Sequence, residues 1–80
     1  MSSQNQRIPN DLLSIIAMDF DQAQNFVLQK GFNLREIGRD GESFAVHDDY
    51  RNNRLNVQTK TIYYPNHQSK LIIESIKGIY

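Results

Sequence analysis

Asp19-Phe20-Asp21-Gln22-Ala23-Gln24-Asn25-Phe26-Val27-Leu28-Gln29-Lys30-Gly31 carries the clearest periodicity in this chain of 80 residues. Phe20, Ala23, Phe26 and Val27 recur at the spacing of a helix and make one apolar stripe, while Gln22, Gln24, Asn25 and Gln29 fall mostly on the wet side. Asp19 can cap the first turn by accepting from its free amides, and Gln22 three residues later completes a capping-box-like pattern. Asp21 sits at the positive end of the helix dipole. Lys30 then places a cation at the negative end, and Gly31 is free to turn left-handed. The spacing predicts a helix over about 20–30.

Downstream of Gly31 the period changes. Phe32-Asn33-Leu34-Arg35-Glu36-Ile37 alternates as a strand does, with a slip of parity at Glu36–Ile37. Gly38-Arg39-Asp40-Gly41 reads as a turn. Arg54–Lys60 is a second strand with Leu55 and Val57 on one face. Ile62-Tyr63-Tyr64 is apolar, Pro65-Asn66-His67 turns, and Leu71–Ile76 is β-rich, so the end of the chain reads as a hairpin. Upstream, Pro9-Asn10-Asp11 introduces Leu12, Leu13, Ile15 and Ile16 as a short helix or turn over one end of the core. Residues 1–8 are expected to be a flexible segment and 9–80 a single domain. One helix followed by strands predicts an α+β fold: a main helix packed on a small mixed β-sheet, with a long protruding loop over Glu42–Asn53.

Composition narrows the function. Nine basic and nine acidic residues give a formal net charge of zero, so neither nucleic acid nor an anionic membrane surface is an expected partner. No cysteine is present, which removes disulfides and thiolate metal sites. Leu12–Met18 is too short to span a bilayer and a poor secretory signal, so the chain as written is expected to be cytoplasmic, or secreted if a precursor has been trimmed. Neither a phosphate-binding glycine loop nor an aromatic nucleic-acid motif occurs. His47, Asp48, Asp49 and His67 match no compact metal spacing, and Ser43 or Ser69 has no nucleophile elbow around it. No enzyme activity, cofactor or metal is therefore expected. Tyr50, Tyr63, Tyr64 and Tyr80 read as semi-buried strand-end packing.

The informative stretch is Ala45-Val46-His47-Asp48-Asp49-Tyr50-Arg51-Asn52-Asn53-Arg54-Leu55-Asn56-Val57. If Leu55 and Val57 face the helix, alternation turns Arg54 and Asn56 to the other side, where they can reach back to the loop. Arginine suits such a task, having five donors in a rigid planar fork, and Asp48 or Asp49 could supply a matching carboxylate. The plain alternative is that Arg51 and Arg54 are solvated charges at a strand edge.

In this order of elements, and in Ala-Val-x-x-Asp-Tyr-Arg-x-x-Arg-Leu-Asn-Val (45–57), the chain resembles the potato inhibitor I family of serine protease inhibitors. It is most similar to the bacterial and fungal relatives, peptidase inhibitor family 78, over about residues 9–78. The resemblance implies a substrate-like inhibitor whose extended loop comprises Val46, His47, Asp48, Asp49, Tyr50 and Arg51. Asp48 would be P1, Asp49 P1′, His47 P2, Val46 P3 and Tyr50 P2′, with Arg54 and Asn56 bracing the loop. The family commonly carries an apolar or bulky P1. Asp48 instead implies a serine protease of acidic P1 specificity, because an ionised carboxylate would be unpaired in an apolar pocket. Further departures are a stretch before the proposed P1 about two residues longer than usual, Lys77 where relatives often carry a cysteine, and Ile79-Tyr80 beyond the glycine that ends the pattern. The alternative is a non-inhibitory protein-interaction module on the same scaffold. A monomer is expected over a dimer.

Overall fold

A computed structural model describes residues 8–46 and 49–80. The expected flexible segment 1–8 lies outside the described residues except for Ile8. The main helix, α1, spans Phe20–Gln29 and starts where the capping pattern predicts. The Asp19 carboxylate accepts from the amides of Asp21 at 3.0 Å and Gln22 at 3.4 Å. It ends through Lys30 and Gly31, whose φ of 88° is the left-handed stop. The Phe32 amide closes the end by donating to the Val27 carbonyl at 2.9 Å. A short 3-10 helix, Asn10–Ile15, precedes it and buries Leu12 and Ile15 but not Leu13 or Ile16. The Asp11–Lys30 ion pair, 2.9 Å long, ties its first turn to the end of α1. That pairing holds the Asp11 carboxyl below its usual range.

Four strands form one mixed sheet: β1 (Asn33–Arg39), β2 (Glu42–Ser43), β3 (Arg54–Tyr63) and β4 (Ser69–Ile79), in the order β2-β1-β3-β4. β1 and β3 run parallel; β2 and β4 lie antiparallel on the outside. α1 covers one sheet face, and Ala23 and Val27 join Leu12, Ile15, Leu34, Leu55, Val57, Ile73 and Ile79 in the core. Leu55 and Val57 do face the helix, as their alternation requires. The architecture is thus a small α+β domain with one helix on a four-stranded mixed sheet.

Four boundaries differ from the sequence reading. The predicted turn at 38–41 is shorter, because β1 runs through Arg39 and only Asp40-Gly41 turn, both at positive φ. Gly38 is a strand residue whose absent side chain matters: a Cβ there would meet the Glu42 carbonyl oxygen at 2.9 Å. Glu42 and Ser43 are therefore strand and the loop begins at Phe44. The parity slip at Glu36–Ile37 is a bulge, since Glu36 pairs with Val57 and Gly38 with the next residue, Gln58. β3 runs unbroken from Arg54 to Tyr63, where the reading had a gap before Ile62. β4 extends beyond the predicted 71–76 at both ends; register shifts at Glu74 and Lys77 break its alternation and shortened the expectation.

The turn at Asp40 also grips β3. Its carboxylate accepts from the Thr61 amide at 2.7 Å and the Thr61 hydroxyl at 2.8 Å, which together hold its pKa down. Glu36 takes a bidentate contact from Arg39 and the hydroxyl of buried Thr59; Arg39 is the main reason its carboxyl sits below the usual range. The outer edge of β4 is partly covered, because Ala17 donates to Ile73 and Ile73 donates to Met18. That cover and the two bulges leave little flat edge for another chain to extend. Among the described residues no helix is long and apolar enough to cross a membrane.

Candidate functional site

The parallel pairing of β1 and β3 dictates where the loop must go. β2 carries the chain back towards the start of β1, and residues 44–53 then link it to the start of β3. Both ends are tied to the sheet. The Phe44 amide donates to the Ile37 carbonyl at 2.9 Å, and the Asn53 carbonyl accepts from the Asn33 amide at 2.7 Å. Between them the described residues take neither helical nor strand structure. Val46, Asp49, Tyr50 and Arg51 are exposed, Tyr50 at 59% and the Arg51 side chain at 63%. His47 and Asp48, the proposed P2 and P1, lie outside the described residues.

Arg54 opens β3 directly behind this loop. Leu55 is turned to the core, so Arg54 projects from the opposite sheet face, with its side chain only 15% exposed. Its guanidinium spans two segments. Nη2 donates to the main-chain oxygen of Asp49 at 2.7 Å, and Nε donates to the main-chain oxygen of Tyr80 at 3.0 Å. Nη2 and Nη1 also face the Asp49 carboxylate, at 3.3 and 3.5 Å. Arg51 approaches the same carboxylate through Nε at 3.2 Å. The Arg54 guanidinium is the main cause of an Asp49 carboxyl held below the usual aspartate range, with a smaller part from Arg51. The alternative of a solvated Arg54 is thereby removed, whereas Arg51 is an exposed charge as that reading had it.

Asn56 occupies the same face but serves another segment. Its Nδ2 donates to the main-chain oxygens of Tyr80 at 3.2 Å and Gly78 at 3.5 Å, and its Oδ1 accepts from Arg35 Nε at 2.6 Å. Among the described residues its hydrogen bonds run to the end of β4 and to β1, and it is linked to Asp49 through Tyr80 and Arg54. The sequence gives neither Tyr80 nor Arg35 a part in the site. Register supplies the reason they meet: β3 brings Asn56 beside Arg35 on one side and Gly78 on the other.

The far end of the β3–β4 ribbon bears the other exposed polar surface. Tyr63 is 77% exposed and Tyr64 is also exposed; with Tyr50 and Tyr80, all four tyrosines are exposed, contrary to the semi-buried packing expected of them. An open cavity of about 490 Å³ is lined there by Tyr64, Pro65, Asn66, Gln68 and Lys70. His67 sits in that turn at positive φ, a full strand length from the loop. Among the described residues no group of three or more His, Asp or Glu could hold a metal ion. Comparison with protein-family models, curated proteins and solved structures returns no match for this chain.

Proposed function

We propose that this domain is a substrate-like inhibitor of serine proteases, presenting Val46–Arg51 as bait with Asp48 at P1. The observation that carries the reading is the 2.7 Å bond from Arg54 to the main-chain oxygen of Asp49. A peptide bound by an enzyme must lose its freedom at that moment; one already pinned has less to lose, so a standard-size interface gains affinity. The same bond has a second consequence. If the Asp48–Asp49 bond is cut, the new amino terminus belongs to a residue still fastened to β3, so the leaving half stays close and religation competes with release. Two features support bait rather than an ordinary connection: the described residues that flank the proposed bond, Val46 and Asp49–Arg51, are exposed, and both loop ends are tied to the sheet.

Asp48 sets the target. An S1 site with a fixed cation would pair it, whereas an apolar S1 would strand an ionised carboxylate. Inhibition should therefore be seen with serine proteases that cut after acidic residues and be weak with those that prefer apolar ones. A panel of both kinds tests this with wild type and Asp48→Leu. The substitution should weaken inhibition of the acid-specific enzymes and create inhibition of subtilisin-like ones. If neither protein inhibits any member, the inhibitor reading fails and the loop serves a non-inhibitory interaction.

A further inference from the structure

Arg35 lies on β1, one strand away from the loop's own anchor, yet it touches two of the groups on which that anchor depends. Its Nε donates to Asn56 Oδ1 at 2.6 Å, and its guanidinium carbon stands 5.9 Å from the centre of the Tyr80 ring. Asn56 in turn donates to the Tyr80 main-chain oxygen, and Arg54 Nε donates to that same oxygen. Tyr80 closes the set by donating its amide to the Arg54 carbonyl at 3.2 Å. A guanidinium is a rigid planar fork, so fixing Nε on Tyr80 fixes the direction in which Nη2 points, and Nη2 is the atom that holds Asp49. We propose that Arg35 is a positioning residue for the loop: through Asn56 and the Tyr80 ring it holds the Tyr80 oxygen beneath Arg54 and so aims Arg54 at Asp49.

A second observation separates this role from a simple contribution to stability. Arg35 Nη2 is buried and has no hydrogen-bond acceptor among the described residues. A buried donor left unsatisfied costs roughly 1–3 kcal/mol, which offsets much of what the bond from Nε to buried Asn56 contributes, so stability alone does not account for Arg35. What an apolar side chain of similar size lacks is the combination Arg35 supplies: a donor for Asn56 and a cationic plane for an aromatic ring. Lysine lacks it too, since it keeps the charge without the fork.

The inference rests on the inhibitor reading only for what the loop is for; its test needs no protease. Backbone NMR relaxation of the described loop residues and NMR titration of the Asp49 carboxyl are measured in wild type, Arg35→Met and Arg35→Lys. Both variants should lower the order parameters of Asp49 and Tyr50 from the rigid range of about 0.85 to below about 0.6, because Arg54 is no longer aimed at the Asp49 main-chain oxygen. Both should also move the Asp49 titration towards an ordinary aspartate. A merely structural role would lower global stability and leave loop order and Asp49 where they were. Loop order and Asp49 titration unaltered in Arg35→Met, or restored in full by Arg35→Lys, would overturn the proposal. If the loop loosens as expected while wild type inhibits no protease, the positioning role stands and the inhibitor reading falls.

Discussion

The two connections at the ends of β3 are built on opposite principles. At its far end the turn to β4 is held by its own residues: Tyr64 donates to the Gln68 carbonyl, His67 to the Tyr64 carbonyl, and the Gln68 amide to the Asn66 side chain. At its near end the loop of residues 44–53 has its Asp49 carbonyl held by Arg54, and Arg54 leans on Tyr80, which lies 26 residues away in sequence. A turn closed by its neighbours is fixed wherever its two strands pair. A loop held by a remote side chain can be released while the sheet stays intact, which gives it an order of its own. The first is what a scaffold needs; the second, on the proposed inhibitor reading, stiffens the bait from outside the loop.

The strand that joins the two regions is where the comparison breaks completely. Leu55 is fully buried at the start of β3. Leu55→Ala should lower global stability by about 2–5 kcal/mol, as core truncations do, and chemical denaturation should show loop and hairpin failing together. Arg54→Ala should separate them: limited proteolysis within 49–51 speeds up by roughly 10-fold, the scale of losing a charge-assisted bond to the Asp49 main-chain oxygen, while the amides of Tyr64 and Gln68 stay protected.

Acid should separate the regions by another route. Asp49 has a folded-state pKa below its unfolded value, so its contribution is complete above the ordinary aspartate range. That contribution is lost as pH falls through the lowered value. Protection of the loop relative to the hairpin should then decline on acidification below about pH 4. Residues 64–68 contain no carboxylate, so the hairpin has nothing of its own to lose. The ratio is the quantity to follow, because Glu36, Asp40 and Asp11 also have lowered pKa values and weaken the whole domain in the same window. The smallest effect is expected at the hairpin. His67 is held at φ 67°, and His67→Gly should raise stability by up to about 1 kcal/mol, relief of left-handed strain less the added entropy cost, with loop exchange unchanged.

Legibility in the sequence follows the same division between local and remote order. The helix could be placed almost to the residue because its cap, stripe and stop are local. The bulge could be seen as a parity slip because a strand's alternation is local too. The orientation of Arg54 followed from that of Leu55. What could not be read was anything that register decides: that β1 and β3 run parallel, that Gly38 admits the returning strand, that Asn56 meets Gly78 and Arg35. Arg35 was one residue of an alternating strand and Tyr80 one of four strand-end aromatics, and only the pairing of three strands brings them to one place. The exposed Tyr63 and Tyr64 were misjudged for a related reason, since β3 and β4 run on together past the end of β1 and nothing is left to cover them.

Incubation with a serine protease that cuts after acidic residues, followed by mass spectrometry of the 48–49 bond, bears most directly on the pinned bait. Wild type should occupy the enzyme and reach a slow, partial cut, while Arg54→Ala, still folded, should be cleaved quickly and to completion. Equal and rapid cleavage of both proteins at that bond would contradict the account.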